Sequence, residues 1–454
     1  MGVITLEQAA AWCGGYVDPK YKDVTFLGAG NDTRTLKEGQ LFLALQGVRD
    51  GHAFIGAAFE KGASAVLCTH CDGDYPAIVV DDTRLALGKI ARGERERLGV
   101  KVVGITGSVG KSTTKEMVAD VLATTYRVAK TPVNHNNDIG MPMAILAMPE
   151  DTQVAVLEMG MNHFREMAYL SSIACPDIAV IINIGTMHIE HLGSVEGILQ
   201  AKLEILEGLR KGGTVILNGD DPMLWNQHRK LSNAVYFGAN NTLSSYRGTD
   251  VTQCEQMLRF RVQTAETEFP VELELEGLHY VSDALAAVAV GMELGVPADK
   301  IRSSLAAFRN MEGRQEMIKT EKYTIIKDCY NAGPESMAAA LNVLGNRPGR
   351  HVAVLGDMLE LGACTQAEHY KVGRIAAEKA DVLLCYGPNS MRMLNGALTG
   401  GMPQSKARAF EDRQKLVTAL KQLARPGDVI LFKGSRGMRM ELALEMFLQE
   451  QEDK

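Results

Sequence analysis

Short apolar runs recur along the chain, and glycine or polar residues follow each run closely. The runs predict buried strands at Val102–Ile105, Val154–Leu157, Ile178–Ile182, Val215–Leu217, Val352–Leu355, Val382–Cys385 and Val429–Phe432. Helical patterns lie between these runs. This alternation favours parallel sheets joined by crossover helices, in which ligands bind at the carboxyl ends of the strands. We therefore predict an α/β protein whose functional residues follow its strands.

Two breaks in this pattern divide the chain into three predicted domains. A charged stretch, "ARGERERLGVK", ends the first block, and "FRNMEGRQEM" precedes a further strand, "YTIIKDCY". We expect domains at residues 1–98, 99–312 and 313–454. A length of 454 residues suits roughly two to four domains with sizeable cores.

The composition is that of a globular protein, with 46% hydrophobic and 23% charged residues. The formal net charge of −7 argues against a nucleic-acid partner. No segment approaches the run of about 18 apolar residues that predicts a membrane helix. The start, "MGVITLEQAAAWCGG", lacks the basic and long apolar regions of a signal peptide. We therefore expect a cytoplasmic protein without membrane insertion.

Eight cysteines are spread thinly along the chain, which favours reduced thiols over a disulfide framework. One close pair, Cys68 and Cys71, has the CxxC spacing of a zinc or redox site. No second CxxC or HxxxH stretch offers the other two ligands of a zinc ion, so the metal and redox interpretations are disfavoured.

The stretch "VVGITGSVGKSTTKEM" predicts a phosphate-binding loop, because it follows a strand and opens a helical pattern. Gly107 and Gly110 allow the backbone to approach phosphates closely, Lys111 reaches the terminal phosphates, and Ser112 can hold Mg²⁺. The first glycine of the usual GxxxxGK[ST] pattern is displaced to Gly104. A chance glycine-rich loop is the alternative interpretation.

Three further side chains follow predicted strands in the central block. Glu158 leaves a strand beside the loop and could coordinate Mg²⁺, or it is an ordinary solvated strand end. His188 follows the next strand, where a lone histidine is most often structural. Lys202 lies on the helix beyond, where a lysine is usually solvated. The residues alone leave these alternatives open.

Taken together, the motifs resemble those of the Mur ligase family over essentially the whole chain. "NDTRTLKEGQLFLALQGVRDGHAFIGAAFEKGASAVL" is similar to the family's uridine-nucleotide domain, and "GITGSVGKSTT" is similar to its phosphate loop. "NHNNDIGMP", "KDCYNAGPESM" and "LGDMLELG" are similar to one member. The resemblance implies an α/β fold with a UDP-binding N-terminal α/β domain, a central P-loop ATPase-type parallel sheet and a C-terminal Rossmann-like domain.

The activity implied by the resemblance is that of an ATP-dependent, ADP-forming ligase in cytoplasmic peptidoglycan precursor synthesis. It would join D-alanyl-D-alanine to UDP-N-acetylmuramoyl-tripeptide through an acyl phosphate, as a monomer. Another Mur-type ligase or a folylpolyglutamate synthase-like enzyme with a different amine is the first alternative. A non-catalytic nucleotide-sugar-binding paralogue is the second, and the presence of Lys111, Glu158 and Lys202 argues against it.

The resemblance also implies roles for individual residues. Catalytic roles fall to Lys111, Glu158, His188 and Lys202. Two Mg²⁺ ions would be held by Ser112, Glu158, His188 and a carbamylated Lys202. ATP would be bound by Gly107, Ser108, Gly110, Lys111, Ser112, Thr113, Asn137, His279, Asp283, Arg314, Asp328, Tyr330 and Asn331. The UDP substrate would be bound by Thr33, Arg34, Gln46, Asp50 and His52. The dipeptide would be bound by Asp357, Lys433 and Arg436, of which the last two could instead belong to a polar strand-to-helix turn.

Three positions depart from the family pattern. Asp283 stands where the family has an asparagine, so a donor is replaced by a charge. Gly333 precedes Pro334 where an asparagine is usual, and Arg165-Glu166 takes the place of Gly-Glu. Because residues of two sequence blocks must meet at one ATP, we expect domain closure to bring Arg314 and Asp328 towards Lys111.

Overall fold

The structure, a computed structural model, describes residues 2–231, 233–254 and 256–449. Its first sheets use strands β1 (Ile4–Thr5), β2 (Thr25–Phe26), β3 (Ala29–Gly30), β4 (Leu41–Leu43), β5 (Ala65–Cys68) and β6 (Ala77–Val79). Their helices are α1 (Leu6–Cys13), α2 (Ile55–Glu60) and α3 (Thr83–Leu98). Strands β3 to β6 form a parallel sheet in sequence order, whereas β1 and β2 form a separate antiparallel pair.

The central sheet has nine strands in the described residues, in the order β15-β14-β13-β12-β11-β10-β7-β9-β8. They are β7 (Lys101–Thr106), β8 (Val128–Lys130), β9 (Val154–Glu158), β10 (Ile178–Ile181), β11 (Thr214–Asn218), β12 (Ala234–Gly238), β13 (Tyr246–Cys254), β14 (Met257–Gln263) and β15 (Glu268–Leu273). The strands from β8 to β13 are parallel. The four strands predicted in this block are confirmed.

Helices cover both faces of the central sheet. They are α4 (Lys111–Ala123), α5 (Gly140–Leu146), α6 (Glu166–Ala174), α7 (Ile189–Leu192), α8 (Val195–Leu203), α9 (Pro222–Trp225), α10 (His279–Glu293) and α11 (Ala298–Ala307). Helix α10 is buried along almost its whole length and packs against α4. This contact fixes the start of α10 beside the phosphate loop that precedes α4.

An antiparallel extension of the central sheet was not predicted. Strands β13, β14 and β15 pair antiparallel, and β14 buries Leu258, Phe260 and Val262 while the residues between them face outward. This alternation is the expected pattern of a sheet with one buried and one solvent-exposed face, because successive side chains point to opposite sides. The central sheet is therefore parallel from β8 to β13 and antiparallel at the edge formed by β14 and β15.

The last sheet has the order β16-β17-β21-β18-β19-β20. Its strands are β16 (Glu316–Lys319), β17 (Thr324–Asp328), β18 (His351–Gly356), β19 (Val382–Tyr386), β20 (Ala407–Phe410) and β21 (Val429–Lys433). Its helices are α12 (Pro334–Gly345), α13 (Thr365–Lys379), α14 (Ser390–Thr399), α15 (Arg413–Leu423) and α16 (Met440–Gln449). All pairs are parallel except β16 with β17, and the three strands predicted here are confirmed.

Short 3-10 helices link several of these elements, at Pro19–Tyr21, Gly51–Phe54, Glu204–Gly208, Gly362–Cys364, Gln404–Lys406 and Arg436–Met438. Each of the three larger sheets falls within one predicted domain, and the boundaries at residues 98 and 312 stay predictions. In the described part of the chain, no helix is long and apolar enough to cross a membrane.

Candidate active site

A cavity of about 620 Å³ lies between the central and C-terminal sheets. Its walls follow the carboxyl ends of β7, β9 and β10 on one side and of β17 and β21 on the other. Most of the predicted site residues line it, namely Ser108, Gly110, Lys111, Ser112, Thr113, Asn137, Glu158, His188, His279, Asp283, Arg314, Asp328, Tyr330, Asn331, Lys433 and Arg436. The structure thus gathers side chains that lie more than 300 residues apart in sequence.

The phosphate loop enters α4 through Gly110, whose φ of 85° favours glycine. A Cβ at this position would lie 2.7 Å from Oδ1 of Asp283, so a larger residue would also displace that side chain. Lys111 donates from Nζ to the carbonyl oxygens of Gly107 (2.7 Å) and Ser108 (3.2 Å). Burial lowers the pKa of Lys111. The Lys111 ammonium therefore lies against the phosphate loop. A bound phosphate would take the place of the two carbonyl oxygens as its hydrogen-bond acceptor.

Ser112 and Glu158 are in direct contact, with the hydroxyl donating to Oε2 over 2.7 Å. The other carboxylate oxygen of Glu158 accepts from Asn136 Nδ2 (2.8 Å), and its backbone N–H donates to the Thr131 hydroxyl (3.0 Å). A hydroxyl beside a carboxylate is a donor set that suits Mg²⁺. Within the described ranges, no three His, Cys, Asp or Glu side chains converge as metal ligands. A metal ion here would therefore draw on Ser112 as well as on Glu158.

Lys202 is 2% exposed, on α8. Burial, and then the charge of Lys111, lowers its pKa well below the ordinary value of lysine. No ion pair to Lys202 occurs in the part of the chain that the structure describes. The interpretation of Lys202 as a solvated side chain is wrong, because the residue is buried. A buried lysine without a carboxylate partner favours its neutral amine.

His188 faces the C-terminal domain, with Nδ1 lying 2.7 Å from Oε2 of Glu360. This contact is the main cause of a lowered pKa of the Glu360 carboxyl. His188 has a φ of 65°, an uncommon value for a residue other than glycine. The imidazole therefore lies in the cavity wall where the two domains meet.

Arg314 crosses from the C-terminal side to the phosphate loop. Its guanidinium donates to the Ser112 hydroxyl over 2.8 Å and stacks over the ring of Tyr330 at 4.0 Å. The Tyr330 hydroxyl in turn contacts Asn134 of the central domain. A cation, an aromatic ring and an amide therefore bridge the two domains at this site.

Asp328 and Lys433 form an ion pair on the C-terminal wall, with Nζ 2.6 Å from Oδ2. Lys433 also donates to the carbonyl oxygen of Asn331 over 3.0 Å and is almost fully buried. Arg436 is more exposed and pairs with Glu441 at 3.3 Å. Both side chains line the cavity, and Arg436 is the more exposed of the two.

Asp283 lies beneath the phosphate loop and accepts a hydrogen bond of 2.8 Å from the Thr114 hydroxyl. Burial raises the pKa of its carboxyl to about 7. His279 starts the same helix and packs against the ring of Tyr280 at 4.1 Å. The departure at Asp283 therefore places a carboxyl that titrates near neutral pH against the loop.

Asp357 does not line the cavity, although it was predicted to bind the dipeptide. It is fully buried, and Oδ2 accepts from both the backbone and the side-chain nitrogen of Asn389, over 2.8 and 2.9 Å. The Nε2 atom of His369 lies 3.7 Å from its other oxygen. Through these contacts the Asp357 carboxylate holds the segment around Asn389 in place. The contact of Asp357 with a dipeptide stays a prediction.

The residues predicted to bind UDP lie in the N-terminal domain, at the shared carboxyl edge of β3 and β4. Asp50 contacts His52, whose Nδ1 lies 2.6 Å from Oδ1, and His52 Nε2 accepts from the backbone N–H of Thr69 (3.0 Å). Arg34 folds back onto Asp32, with its guanidinium 2.6 Å away. Thr33 and Gln46 complete the predicted set after the same strands. Their binding role stays a prediction.

The close cysteine pair lies on β5 and just beyond it. Burial raises the pKa of the Cys68 thiol to about 12 and is also the main cause of a raised pKa of Cys71. Raised pKa values disfavour the thiolates that metal binding and redox chemistry need.

Several residues of the site were missed by sequence reasoning. Asn183 uses its side-chain oxygen to accept from the backbone N–H groups of Ser108 and Val109, each over 2.9 Å. Asn134, Asn136 and Thr131 support the residues described above, and Glu335 reaches into the cavity from α12. Two quoted stretches contain some of these residues: "NHNNDIGMP" includes Asn134 and Asn136, and "KDCYNAGPESM" includes Glu335. Neither stretch shows which of its polar residues reaches the site.

Comparisons with known proteins agree with this architecture. Residues 105–291 match the Mur ligase middle domain, and residues 313–436 match the Mur ligase, glutamate ligase domain. The chain is 41% identical to UDP-N-acetylmuramoyl-tripeptide--D-alanyl-D-alanine ligase of Bacillus subtilis (strain 168), over 94% of each chain.

Solved structures of similar proteins extend the match to nearly the whole chain. A crystal structure of MurF from Acinetobacter baumannii superposes with a TM-score of 0.91 at 31% identity, covering 99% of each chain. MurF ligase from Thermotoga maritima in complex with ADP superposes with a TM-score of 0.83 at 29% identity, covering 94% of this chain and 98% of that one. The predicted α/β architecture is confirmed, and this chain belongs to the Mur ligase family.

Proposed function

We propose that this chain joins D-alanyl-D-alanine to UDP-N-acetylmuramoyl-tripeptide, with conversion of ATP to ADP and phosphate. The observation that carries the proposal is the contact between Arg314 and Ser112, which joins the phosphate loop to the C-terminal domain at one cavity. The similarity to relatives that bear this activity in their names, over nearly the full length, supports the choice of substrates.

ATP would lie with its phosphates on the loop that ends in Lys111. The ammonium would exchange its contacts with Gly107 and Ser108 for the terminal phosphate, and Arg314 would bind from the opposite wall. Phosphoryl transfer to the tripeptide carboxylate forms an acyl phosphate. The dipeptide amine loses a proton and attacks the acyl carbon, and the bond from that carbon to the phosphate oxygen breaks, which releases phosphate and leaves an amide. Such chemistry depends on positioning and on charge neutralisation.

Mg²⁺ fits the oxygen pair formed by Ser112 and Glu158, and a second ion would be held by His188 and a carbamylated Lys202. Bound Mg²⁺ neutralises phosphate charge during transfer. Asn136 would orient the Glu158 carboxylate for this role, and Thr131 holds the backbone of Glu158.

Carbamylation of Lys202 is supported by its burial, its lowered pKa and the nearby charge of Lys111. A neutral amine can add carbon dioxide, and the carbamate that forms is a hard oxygen ligand. The new negative charge would also compensate the positive charge of Lys111.

The nucleotide end of the UDP substrate would lie against Thr33, Arg34, Gln46, Asp50 and His52. The carboxylate of the dipeptide would bind near Lys433 and Arg436, where the Arg436 guanidinium would exchange its contact with Glu441 for bidentate contacts with the dipeptide. We further propose a monomer that acts in the cytoplasm, where ATP is available, with no nucleic-acid partner.

Product analysis tests this function against the other amine-adding ligases. The protein is incubated with ATP, Mg²⁺, UDP-N-acetylmuramoyl-tripeptide and one amine, and the products are measured by mass spectrometry. Only D-alanyl-D-alanine should give efficient ligation. Equal efficiency with D-glutamate or a diamino acid would contradict the assignment, and no product with any amine would favour a paralogue that only binds nucleotide sugar.

A further inference from the structure

One carboxylate in the cavity has an oxygen without a partner. Glu335 lies in the first turn of α12 in the C-terminal domain and lines the cavity. Its Oε1 accepts from the backbone N–H and the hydroxyl of Thr186, over 2.9 and 3.0 Å. Its Oε2 is buried and has no hydrogen-bond partner among the residues that the structure describes. A buried carboxylate oxygen without a donor is costly, so a ligand that donates to it is expected.

The other acidic side chains in the cavity are already engaged. Glu158 accepts from Ser112, Asp283 from Thr114, and Asp328 from Lys433. Glu166 accepts from the backbone of Asn162 and contacts His163. Among the described residues, Glu335 makes no ion pair, although four cationic side chains line the same cavity. The charge of Glu335 is therefore not compensated by any cation of the described residues.

The position of Glu335 is fixed relative to the phosphate loop. The backbone N–H of Gly185 donates to the Ser108 hydroxyl over 2.8 Å, and the next N–H along the chain, that of Thr186, donates to Glu335. A Cβ at Gly185 would lie 2.9 Å from Cδ of Glu335, so a larger residue there would displace the Glu335 side chain. Glu335 of the C-terminal domain thus binds Thr186, and the preceding residue, Gly185, binds Ser108 of the phosphate loop.

In the proposed reaction, the amine substrate would have to reach the cavity that Glu335 and the phosphate loop both line. The acyl phosphate forms next to the phosphate loop, and the dipeptide brings a positively charged amino group to it. A carboxylate with an open oxygen binds an ammonium through a charge-assisted hydrogen bond. We propose that Glu335 binds the ammonium group of the incoming dipeptide through Oε2, an inference that rests on the proposed ligase function.

Kinetics of Glu335→Gln test this inference, because glutamine keeps the acceptor for Thr186 and loses the charge. The KM for D-alanyl-D-alanine should rise about 10- to 100-fold, as expected for loss of a charged hydrogen bond. The KM values for ATP and UDP-N-acetylmuramoyl-tripeptide should change less than about twofold. Glu335→Asp keeps the charge and should be intermediate, and Glu368→Gln, which changes a glutamate that pairs with Lys371, is the matched control.

An analogue without the amino group separates recognition from general damage. N-propionyl-D-alanine, which lacks the ammonium, should inhibit the wild type and Glu335→Gln with inhibition constants that agree within about twofold. Equal losses for dipeptide and analogue would overturn the proposal. An unchanged KM for the dipeptide with a higher Mg²⁺ requirement would also overturn it, because the carboxylate would then serve the metal. Absence of ligation by the wild type would instead contradict the proposed function itself.

Discussion

The guanidinium of Arg314 donates to the hydroxyl of Ser112 over 2.8 Å, although 202 positions separate the two residues in sequence. Arg314 belongs to the segment that leads into the C-terminal sheet, and Ser112 lies in the first turn of the helix after the phosphate loop. The contact therefore places a permanent positive charge of one domain at the proposed metal and phosphate site of the other.

Substitution of Arg314 should weaken ATP binding more than binding of the UDP substrate. In Arg314→Ala, the KM for ATP is expected to rise about tenfold or more, because a charged donor is lost on one side of the phosphates. Steady-state kinetics with each substrate varied in turn measure the effect. Arg309→Ala is the control, since Arg309 is exposed and pairs with Glu274. An equal effect in both variants would contradict the role of Arg314.

Loss of the Asn136 amide should raise the Mg²⁺ requirement. Its Nδ2 orients Glu158, and residues that orient a metal ligand contribute about 10- to 100-fold to metal affinity. In Asn136→Ala, the Mg²⁺ concentration for half-maximal rate should rise within that range, whereas Asn226→Ala, a surface change, should leave it unchanged. A lower rate at every Mg²⁺ concentration with no change in the midpoint would argue against this role.

Lys202→Ala should abolish ligation and leave binding of the UDP substrate nearly normal, because the predicted uridine site lies in another domain. Added formate or acetate should restore part of the rate by supplying the missing oxygen ligand. Lys202→Arg should stay inactive, since it keeps the charge and cannot form a carbamate. Wild-type turnover by Lys202→Arg would rule out the carbamate.

A second readout of the carbamate does not depend on turnover. After incubation with ¹³C-bicarbonate, the wild type should show a carbamate carbon resonance that Lys202→Ala lacks. Lys211→Ala, which removes an exposed lysine of the same domain, should keep both the resonance and the activity. A resonance that persists in Lys202→Ala would assign the carbamate to another amine.

Asp283 should make stability fall as pH rises towards neutrality. Its pKa in the folded state, about 7, lies above that of an unfolded aspartate, so the folded state binds the extra proton between these two values. This stabilisation is lost as pH rises through 7. The unfolding free energy of Asp283→Asn, measured by urea denaturation relative to wild type, should therefore increase by up to about 3 kcal/mol from pH 5 to pH 8. Parallel pH curves for the two proteins would contradict this linkage.

The sequence was sufficient to predict the buried strands, because a strand covered on both faces is a continuous apolar run, as in Val352–Leu355. It also predicted the phosphate loop, whose glycines and lysine are required by local geometry. The antiparallel strands β14 and β15 were missed, although "MLRFRVQ" and "EFPVEL" alternate as one-sided strands do.

The contacts between domains could not be predicted from local patterns. The stacking of Arg314 on Tyr330 and the contact of Tyr330 with Asn134 depend on how two sheets meet. Burial of Lys202 likewise depends on packing, and a lysine on a helix gives no local sign of it. Asp357 shows the reverse case, since a residue in a suggestive motif lies outside the cavity.

The release of phosphate from ATP tests the central claim most directly. The rate is measured with UDP-N-acetylmuramoyl-tripeptide alone, with D-alanyl-D-alanine alone and with both together. We predict sustained release only with both substrates, with one amide bond formed per phosphate. Sustained release without the dipeptide, or replacement of the dipeptide by D-glutamate at equal efficiency, would contradict the account.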